Sequence, residues 1–315
     1  MDIKELKKLQ KEIIKKNKIL NITSIVLFLT IIIIVTYILL INKANTEQII
    51  FSLIVIAFLS AIICIVIIAL IKSILINKKI KTFKQEFKTI FVLNSLKKYF
   101  ENLTYNAEKG FDESLVEKNN MIDTGDSFYS NDYIEGTYKN INFSQSDIHI
   151  EEKHEEEDSD GNKKEVWVTT FLGRLMIFDF NKTFKANLQV VSNHFYARSL
   201  KNKNKYNKIK LEDPEFNKAF TVYAENEHEA FYILTPHFMN RIKEITNKLN
   251  CEIMFFFTDN KLHIAINNSK DSFEWNVLKP INEQTIEENI TKDIKVITDF
   301  IDELNLNNDL FRKEV

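Results

Sequence analysis

Arg174, Asp179, Asn181 and Lys182 put a guanidinium, a carboxylate, an amide and an ammonium into one short stretch of chain. Converging at the end of a strand, such a set could hold an anion and move a proton. The same residues also read as plain structure. Asn181-Lys182 would be the turn joining two strands, and Asp179 surface alternation along the first of them. The six histidines, His149, His154, His194, His228, His237 and His263, are scattered, and no pair has metal-ligand spacing on a helix. His228-Glu229 begins like a zinc-protease motif, yet Tyr232 stands where the second histidine belongs. His149 and His263 fall in alternating strands and are expected half-exposed at the surface.

The acidic run 151–160, followed by Gly161 and Asn162, superficially matches a calcium loop that starts at Glu156, with Asp158, Asp160 and Gly161 in register. Its last ligand position is then Trp167, where a bidentate Glu is required. A solvated hairpin loop between Ile150 and Val166 is the expectation. The basic stretch Arg198 to Lys210, with Lys201, Lys203, Lys205 and Lys208, could touch lipid phosphates, but its interleaved Asn residues and Tyr206 point to a loop. No Ser sits on a glycine elbow, and Cys251 has no adjacent base. No catalytic residue, cofactor or metal ligand is therefore assigned.

The elements that carry these residues divide by charge. Residues 1–88 hold 14 Lys and Arg against 5 Asp and Glu, while the remainder holds 28 against 39. So acidic a C-terminal part excludes nucleic acid as its partner, since phosphate binding needs a basic face. With 5 Gly in 315 residues, glycine-rich phosphate loops are nearly excluded as well. Cys64 and Cys251 make neither a disulfide framework nor a zinc site.

Ile22 to Ile41 and Ile49 to Ile71 are two uncharged apolar runs. About 20 residues at ~1.5 Å each cover the hydrocarbon layer, so both are expected to span a membrane. Lys4, Lys7, Lys8, Lys11, Lys15, Lys16 and Lys18 precede the first run; Lys72, Lys78, Lys79, Lys81 and Lys84 follow the second. The connecting segment Asn42 to Gln48 has one Lys, Lys43, and the asymmetry places both ends in the cytoplasm. Ala57, Ser60, Ala61 and Cys64 form a small-residue stripe for close packing, either on the first span or on a second copy. Residues 1–20, with Ile3, Leu6, Ile13 and Leu20 on one side, form an amphipathic piece that could pack beside 81–103. Lys81 to Leu103 reads as a helix, with Phe83, Phe87, Ile90, Phe91, Asn94 and Phe100 near helical spacing. Its lysines, with Lys72, Lys78 and Lys79, are candidate contacts to an anionic leaflet; packing of its Phe stripe on protein is the competing reading.

From Tyr105 the chain turns to short β-branched and aromatic runs. Asp132 to Asn142, Ile141 to Ile150, Val166 to Phe180 and Phe184 to Val191 are predicted strands. Pro214, capped by Asp213, and Pro236, after Thr235, open helices, the second ending near Asn250. Glu252 to Phe257 and Leu262 to Ile266 form a hairpin, with Asp259-Asn260 suited to positive φ. Thr285 to Leu304 closes the chain as a helix with Ile286, Ile290, Ile294, Ile297, Ile301 and Leu304 on one face. The class is α+β: a transmembrane helical hairpin, then a mainly antiparallel sheet with packed helices. The divisions are 1–21 basic amphipathic segment, 22–76 hairpin, 77–104 juxtamembrane helix, 105–282 cytoplasmic α+β domain, and 283–315 C-terminal helix and tail.

Four stretches carry a resemblance: 171–182 around Gly173 and Arg174, Leu211 to Phe216, Tyr232 to Pro236, and Asp259 to Ile266. Together they resemble the uncharacterised bacterial family catalogued as domain of unknown function thirty-one thirty-seven, over roughly residues 80–280. The resemblance implies a bacterial inner-membrane protein with two N-terminal membrane helices and a cytoplasmic domain. It implies no activity or site. The runs at 151–160 and 198–210 look peculiar to this chain.

The function expected is a membrane-anchored binding or scaffold module at the inner membrane, both termini cytoplasmic. Its partners would be membrane lipids and a protein partner or a second copy. The alternative is a membrane-associated enzyme using Arg174, Asp179, Asn181 and Lys182. A channel or transporter subunit fits less well, because neither span holds an ionisable side chain beyond the Cys64 thiol and the Tyr37 phenol near one end.

Overall fold

The computed structural model describes residues 1–41, 46–118, 122–157, 161, 163–179, 184–195, 206–304 and 306. The chain divides into two units, Met1–Ile90 with Trp275–Ile286, and Phe91–Glu274 with Glu287–Val315.

In the first unit, α1 (Ile3–Ile41) is one continuous helix and α2 (Thr46–Leu75) packs against it. Among the described residues α1 is the one helix long and apolar enough to cross a membrane; α2 contains a shorter apolar segment, Ile54–Ile68. Ile25, Leu29, Ile33 and Ile34 of α1 are exposed, as are Phe51, Ile54, Phe58 and Ile65 of α2. The hydroxyls of Thr23, Thr30 and Thr36 donate to the carbonyls of Leu20, Leu27 and Ile32 at 3.0, 2.8 and 2.8 Å. These three hydroxyls of the apolar stretch are thus satisfied within the helix.

The amphipathic start of α1 buries Leu6, Gln10 and Ile13. Gln10 donates to the carbonyls of Val277 and Lys279 at 2.9 and 2.6 Å. Beside it runs α3 (Asn77–Phe87), joined by Lys79–Glu12 at 2.6 Å and by the N-terminal amine to Glu86 at 3.2 Å. The helix predicted over 81–103 is interrupted: a π-helical turn, Lys88–Leu93, leads into α4 (Asn94–Tyr99). The buried apolar side chains are Phe83, Phe87, Val92 and Leu96, so the wider turn inserts one five-residue step. Ile90 and Phe91, expected on the buried stripe, are half-buried.

In the second unit nine strands among the described residues form one sheet, ordered β1-β2-β3-β4-β9-β8-β5-β7-β6, with every neighbouring pair antiparallel. The strands are β1 (Glu101–Asn106), β2 (Ser127–Tyr138), β3 (Ile141–Glu157), β4 (Lys163–Asp179), β5 (Leu188–Ser192), β6 (Asn207–Ile209), β7 (Phe220–Ala224), β8 (Glu252–Thr258) and β9 (Lys261–Asn267). The helices are α5 (Glu113–Lys118), α6 (Pro214–Ala219), α7 (Glu227–Ile233), α8 (Pro236–Leu249) and α9 (Glu283–Glu303). Asp213 accepts from the N–H groups of Glu215 and Phe216, and Thr235 from that of Phe238, so both proline helices start where the sequence places them. Asp259 turns the β8–β9 hairpin at φ 50°.

One sheet face packs on α8 and α9 through Phe178–Phe300 and Phe238–Phe257 contacts. The other buries Ile148, Ile150, Leu175, Met254 and Ala265 with Phe111 and Val116. Gly173 is required where β4 meets β9: a Cβ there would lie 1.9 Å from the Ile266 carbonyl oxygen.

Two expectations need correction. The acidic run is mostly strand, because β3 and β4 stay paired out to Glu157 and Lys163, beyond the end of β2 on one side and of β9 on the other. Opposite charges across this ribbon stabilise it, Lys163–Glu155 at 3.0 Å and Lys153–Glu165 at 3.3 Å, with Lys153 over Trp167. Residues 158–160 and 162 lie outside the described residues. His263 is 2% exposed rather than half-exposed, because the sheet is covered on both faces where β9 runs through its middle. Burial holds its imidazole neutral, pulling the pKa down to about 3 with Lys261 adding to the effect.

Candidate functional sites on the two faces of the sheet

Successive side chains on a strand point to opposite faces, so Arg174 and Asp179, an odd number of positions apart on β4, part company. The structure does not bring them together. Asn181 and Lys182 lie outside the described residues.

Asp179 joins a hydrogen-bonded row that crosses five strands. From β1, the Asn102 amide donates to Thr137 Oγ1 at 3.3 Å, and Thr137 donates to Asn142 Oδ1 at 2.9 Å. Asn142 Nδ2 donates to one Asp179 oxygen at 3.2 Å, and Lys261 Nζ to the other at 2.8 Å. The row borders an open cavity of about 340 Å³, whose wall also includes Glu135 and Ser144. Phe143 and Ile177 supply its apolar lining. Cross-strand register explains the row: Thr137 faces Asn142 on β2–β3, and Asp179 faces Lys261 on β4–β9. Chemically it is a recess of amide, hydroxyl and carboxylate groups suited to a small polar ligand or a polar side chain.

Arg174 lies on the other face, 2% exposed. Its Nε donates to Ser272 Oγ at 2.5 Å and its Nη1 to the Asp293 carbonyl at 2.6 Å, while its plane covers the Phe273 ring at 5.0 Å. Asp147, opposite it on β3, stands 3.7 Å away, and Asp293 of α9 stands 3.4 Å away. Asp147 also accepts from the Ser272 N–H. Burial is the main cause that raises the Asp147 carboxyl, to about 8; Arg174 opposes it, Asp132 adds to it, the Ser272 N–H opposes it and Asp271 adds to it. Next along the same face, Tyr105 donates to Asp132 at 2.6 Å, and burial, then Asp132, raise the pKa of its phenol.

The remaining sequence candidates have distinct places. Lys78, Lys81 and Lys84 are exposed and Lys79 is engaged by Glu12; the side chain of Lys72 is outside what is described, like that of Ala57. Ser60 and Cys64 are buried and Ala61 is half-buried. Cys64 borders a cavity of about 180 Å³ shared with Leu20, Thr23, Ser24 and Leu27 of α1, which puts the same chain's first helix against the stripe. The Cys251 thiol is pushed up to about 11 by burial and by Glu252, far from a reactive thiolate. Residues 198–205 of the basic stretch fall outside the described residues, whereas Asn207–Ile209 pair with β7 as an edge strand.

Asp132, Asp147, Tyr105 and Gln145 went unnoticed in the sequence. The signal for Gln145 and Asp147 was the run Ser144-Gln145-Ser146-Asp147, polar on both faces between the alternating stretches 141–143 and 148–150; Tyr105 and Asp132 had none.

Residues 169–306 match the model of the family described as protein of unknown function DUF3137. All four resembling stretches fall inside that range, which starts later and ends later than the roughly 80–280 that they suggested. No curated protein matches the chain. Among solved structures, the mycobacterial trehalose monomycolate transport factor A, TtfA, overlaps at 9% identity and a TM-score of 0.36. The overlap covers 71% of this chain and 94% of that one.

Proposed function

We propose that this chain, whose residues 169–306 fall in an uncharacterised family, is a module anchored in a bacterial inner membrane by a two-helix hairpin. In this reading its α+β domain works on the cytoplasmic side by binding a protein partner. The observation that carries it is the outward-facing apolar surface of α1 and α2, where Ile25, Ile33, Ile54 and Phe58 are each more than half exposed. Water would not tolerate a continuous patch of this kind on a folded unit, whereas lipid tails solvate it. The self-satisfied threonines of α1 point the same way. Lys78, Lys81 and Lys84 would lie at the inner leaflet, each contributing about 1 kcal/mol with anionic lipid.

The domain side of the reading rests on the polar row at Asp179, a recess built across five strands. Cross-linking in native membranes followed by detergent purification tests it. A reproducible partner whose yield drops when Asp179→Ala and Lys261→Ala are combined is the expected result. Recovery of the chain alone, in native membranes and at natural abundance, contradicts the reading.

A further inference from the structure

On the face that carries Arg174, one oxygen each from Asp132, Asp271 and Glu274 lie within 4.8 Å of one another. Asp132 is fully buried, Glu274 half-buried and Asp271 exposed, so the group opens to solvent along one side. Three carboxylates at that spacing repel one another unless a proton or a cation sits among them. Both oxygens of Asp132 are held in place. It accepts from Tyr105 at 2.6 Å on one oxygen and from the Asn131 amide at 3.0 Å on the other. Its backbone sits in a β-bulge, where the β2–β3 register shifts between Asn131 and Ile134.

A second observation does not depend on these acids. Gln145 is fully buried, and neither its amide oxygen nor its nitrogen has a hydrogen-bond partner. Alternation along β3 puts Gln145 on the same face as Asp147. On β2, Asn131 stands opposite Asp147 and Ile134 opposite Gln145, so the bulge holding Asp132 faces the interval between them. Tyr105, whose hydroxyl holds Asp132, pairs with Ile134 on the next strand out. The Gln145 amide therefore projects into the layer that Asp132 enters. Asp147 Oδ1, equally enclosed, accepts no hydrogen bond either. Unsatisfied polar atoms clustered in a buried layer mark a place for an ion or its water.

We propose that Asp132, Asp271 and Glu274 bind a hard divalent cation of the calcium or magnesium type, with the Gln145 side-chain oxygen as a further ligand, direct or through water. The donors are all oxygen, which favours calcium, magnesium or manganese over zinc or copper. A spread of up to 4.8 Å matches twice the ~2.4 Å calcium–oxygen distance. Magnesium, with bonds of about 2.1 Å, would need the acids to draw together or water to complete its shell. Asp271 and Glu274 follow β9, and the same segment supplies Ser272 and Phe273 to Arg174. The cation would thus pin this segment across the sheet.

The test uses the full chain in detergent, stripped with a chelator and then titrated separately with calcium, magnesium and terbium. One of the first two should raise Tm and compete for saturable terbium emission, which identifies the cation. Asp271→Asn combined with Glu274→Gln changes residues outside the fully buried layer. This variant should fold, yet lose the Tm response and bind terbium at least tenfold more weakly. Gln145→Leu should weaken binding about tenfold. Two results overturn the proposal: no Tm response of the unsubstituted chain to either metal, or an undiminished response in the double variant. Unchanged affinity in Gln145→Leu removes Gln145 from the ligand set.

Discussion

The paired helices α1 and α2 and the nine-stranded sheet treat the same residue types in opposite ways. The helices turn Ile25, Leu29, Phe51 and Phe58 outward and bury Ser60 and Cys64. The sheet turns Phe178, Phe255, Phe257 and Ile264 inward and keeps most charge outside. The sheet also buries a polar network in which Arg174 meets Asp147 on β3 and Asp293 on α9. In the proposed reading one rule covers both halves: each surface matches its solvent, lipid for one and water for the other.

The largest expected effect breaks the helical half of the contrast. Ile25→Asp, Leu29→Asp and Ile33→Asp together add about 3 kcal/mol each to insertion of α1. The chain should no longer pellet with membranes after alkaline carbonate washing. Asp at the exposed Tyr129 and Tyr232 of the sheet domain should leave both pelleting and Tm nearly unchanged.

Next comes the sheet's buried network. Arg174→Met strands Asp147 and should cost about 3–5 kcal/mol, read by chemical denaturation of the full chain in detergent. Adding Asp147→Leu should recover much of that loss. A double variant no better than the single one would mean that packing, not charge, holds the site.

His263 gives a smaller, pH-dependent effect. Its folded pKa is lowered to about 3, below its unfolded value, so its contribution is complete above about pH 6.5 and is lost as pH falls. The His263 contribution should fall by about 2 kcal/mol between pH 6.5 and 4.5, read as the stability difference between the unsubstituted chain and His263→Gln at each pH. Asp147, raised to about 8, tilts the curve the opposite way in both proteins, so the difference between them isolates His263. The smallest effect expected is at a cap: Asp213→Ala removes the acceptor of the Glu215 and Phe216 N–H groups and should lower Tm slightly.

Local features of this chain were legible in its residues because local chemistry determines them. The capping Asp213 and Thr235, the Asp259 turn and the Ile stripe of α9 each depend on near neighbours, and the structure has them in place. The π-turn at Lys88–Leu93 was not legible, because a five-residue step leaves a pattern that a 3.6-residue period almost fits. The acidic ribbon was missed for another reason. Repulsion along Glu151–Glu157 is visible in sequence, but the lysines that offset it come from the partner strand. The site around Arg174 is assembled from β1, β2, β3, β4, the segment after β9, and α9. No spacing along the chain announces such a meeting. Arg174 and Asp179 were grouped by nearness in sequence, and strand alternation then sent them to opposite faces.

The proposed function has α1 and α2 inserted as a hairpin with the sheet domain in the cytoplasm. Site-directed labelling with a membrane-impermeant thiol reagent tests it most directly, in a chain with Cys64 and Cys251 replaced by Ser. Asn45→Cys should be labelled in intact spheroplasts, and Asn204→Cys only after lysis. Labelling of Asn204→Cys in intact spheroplasts, with Asn45→Cys protected until lysis, would contradict the account.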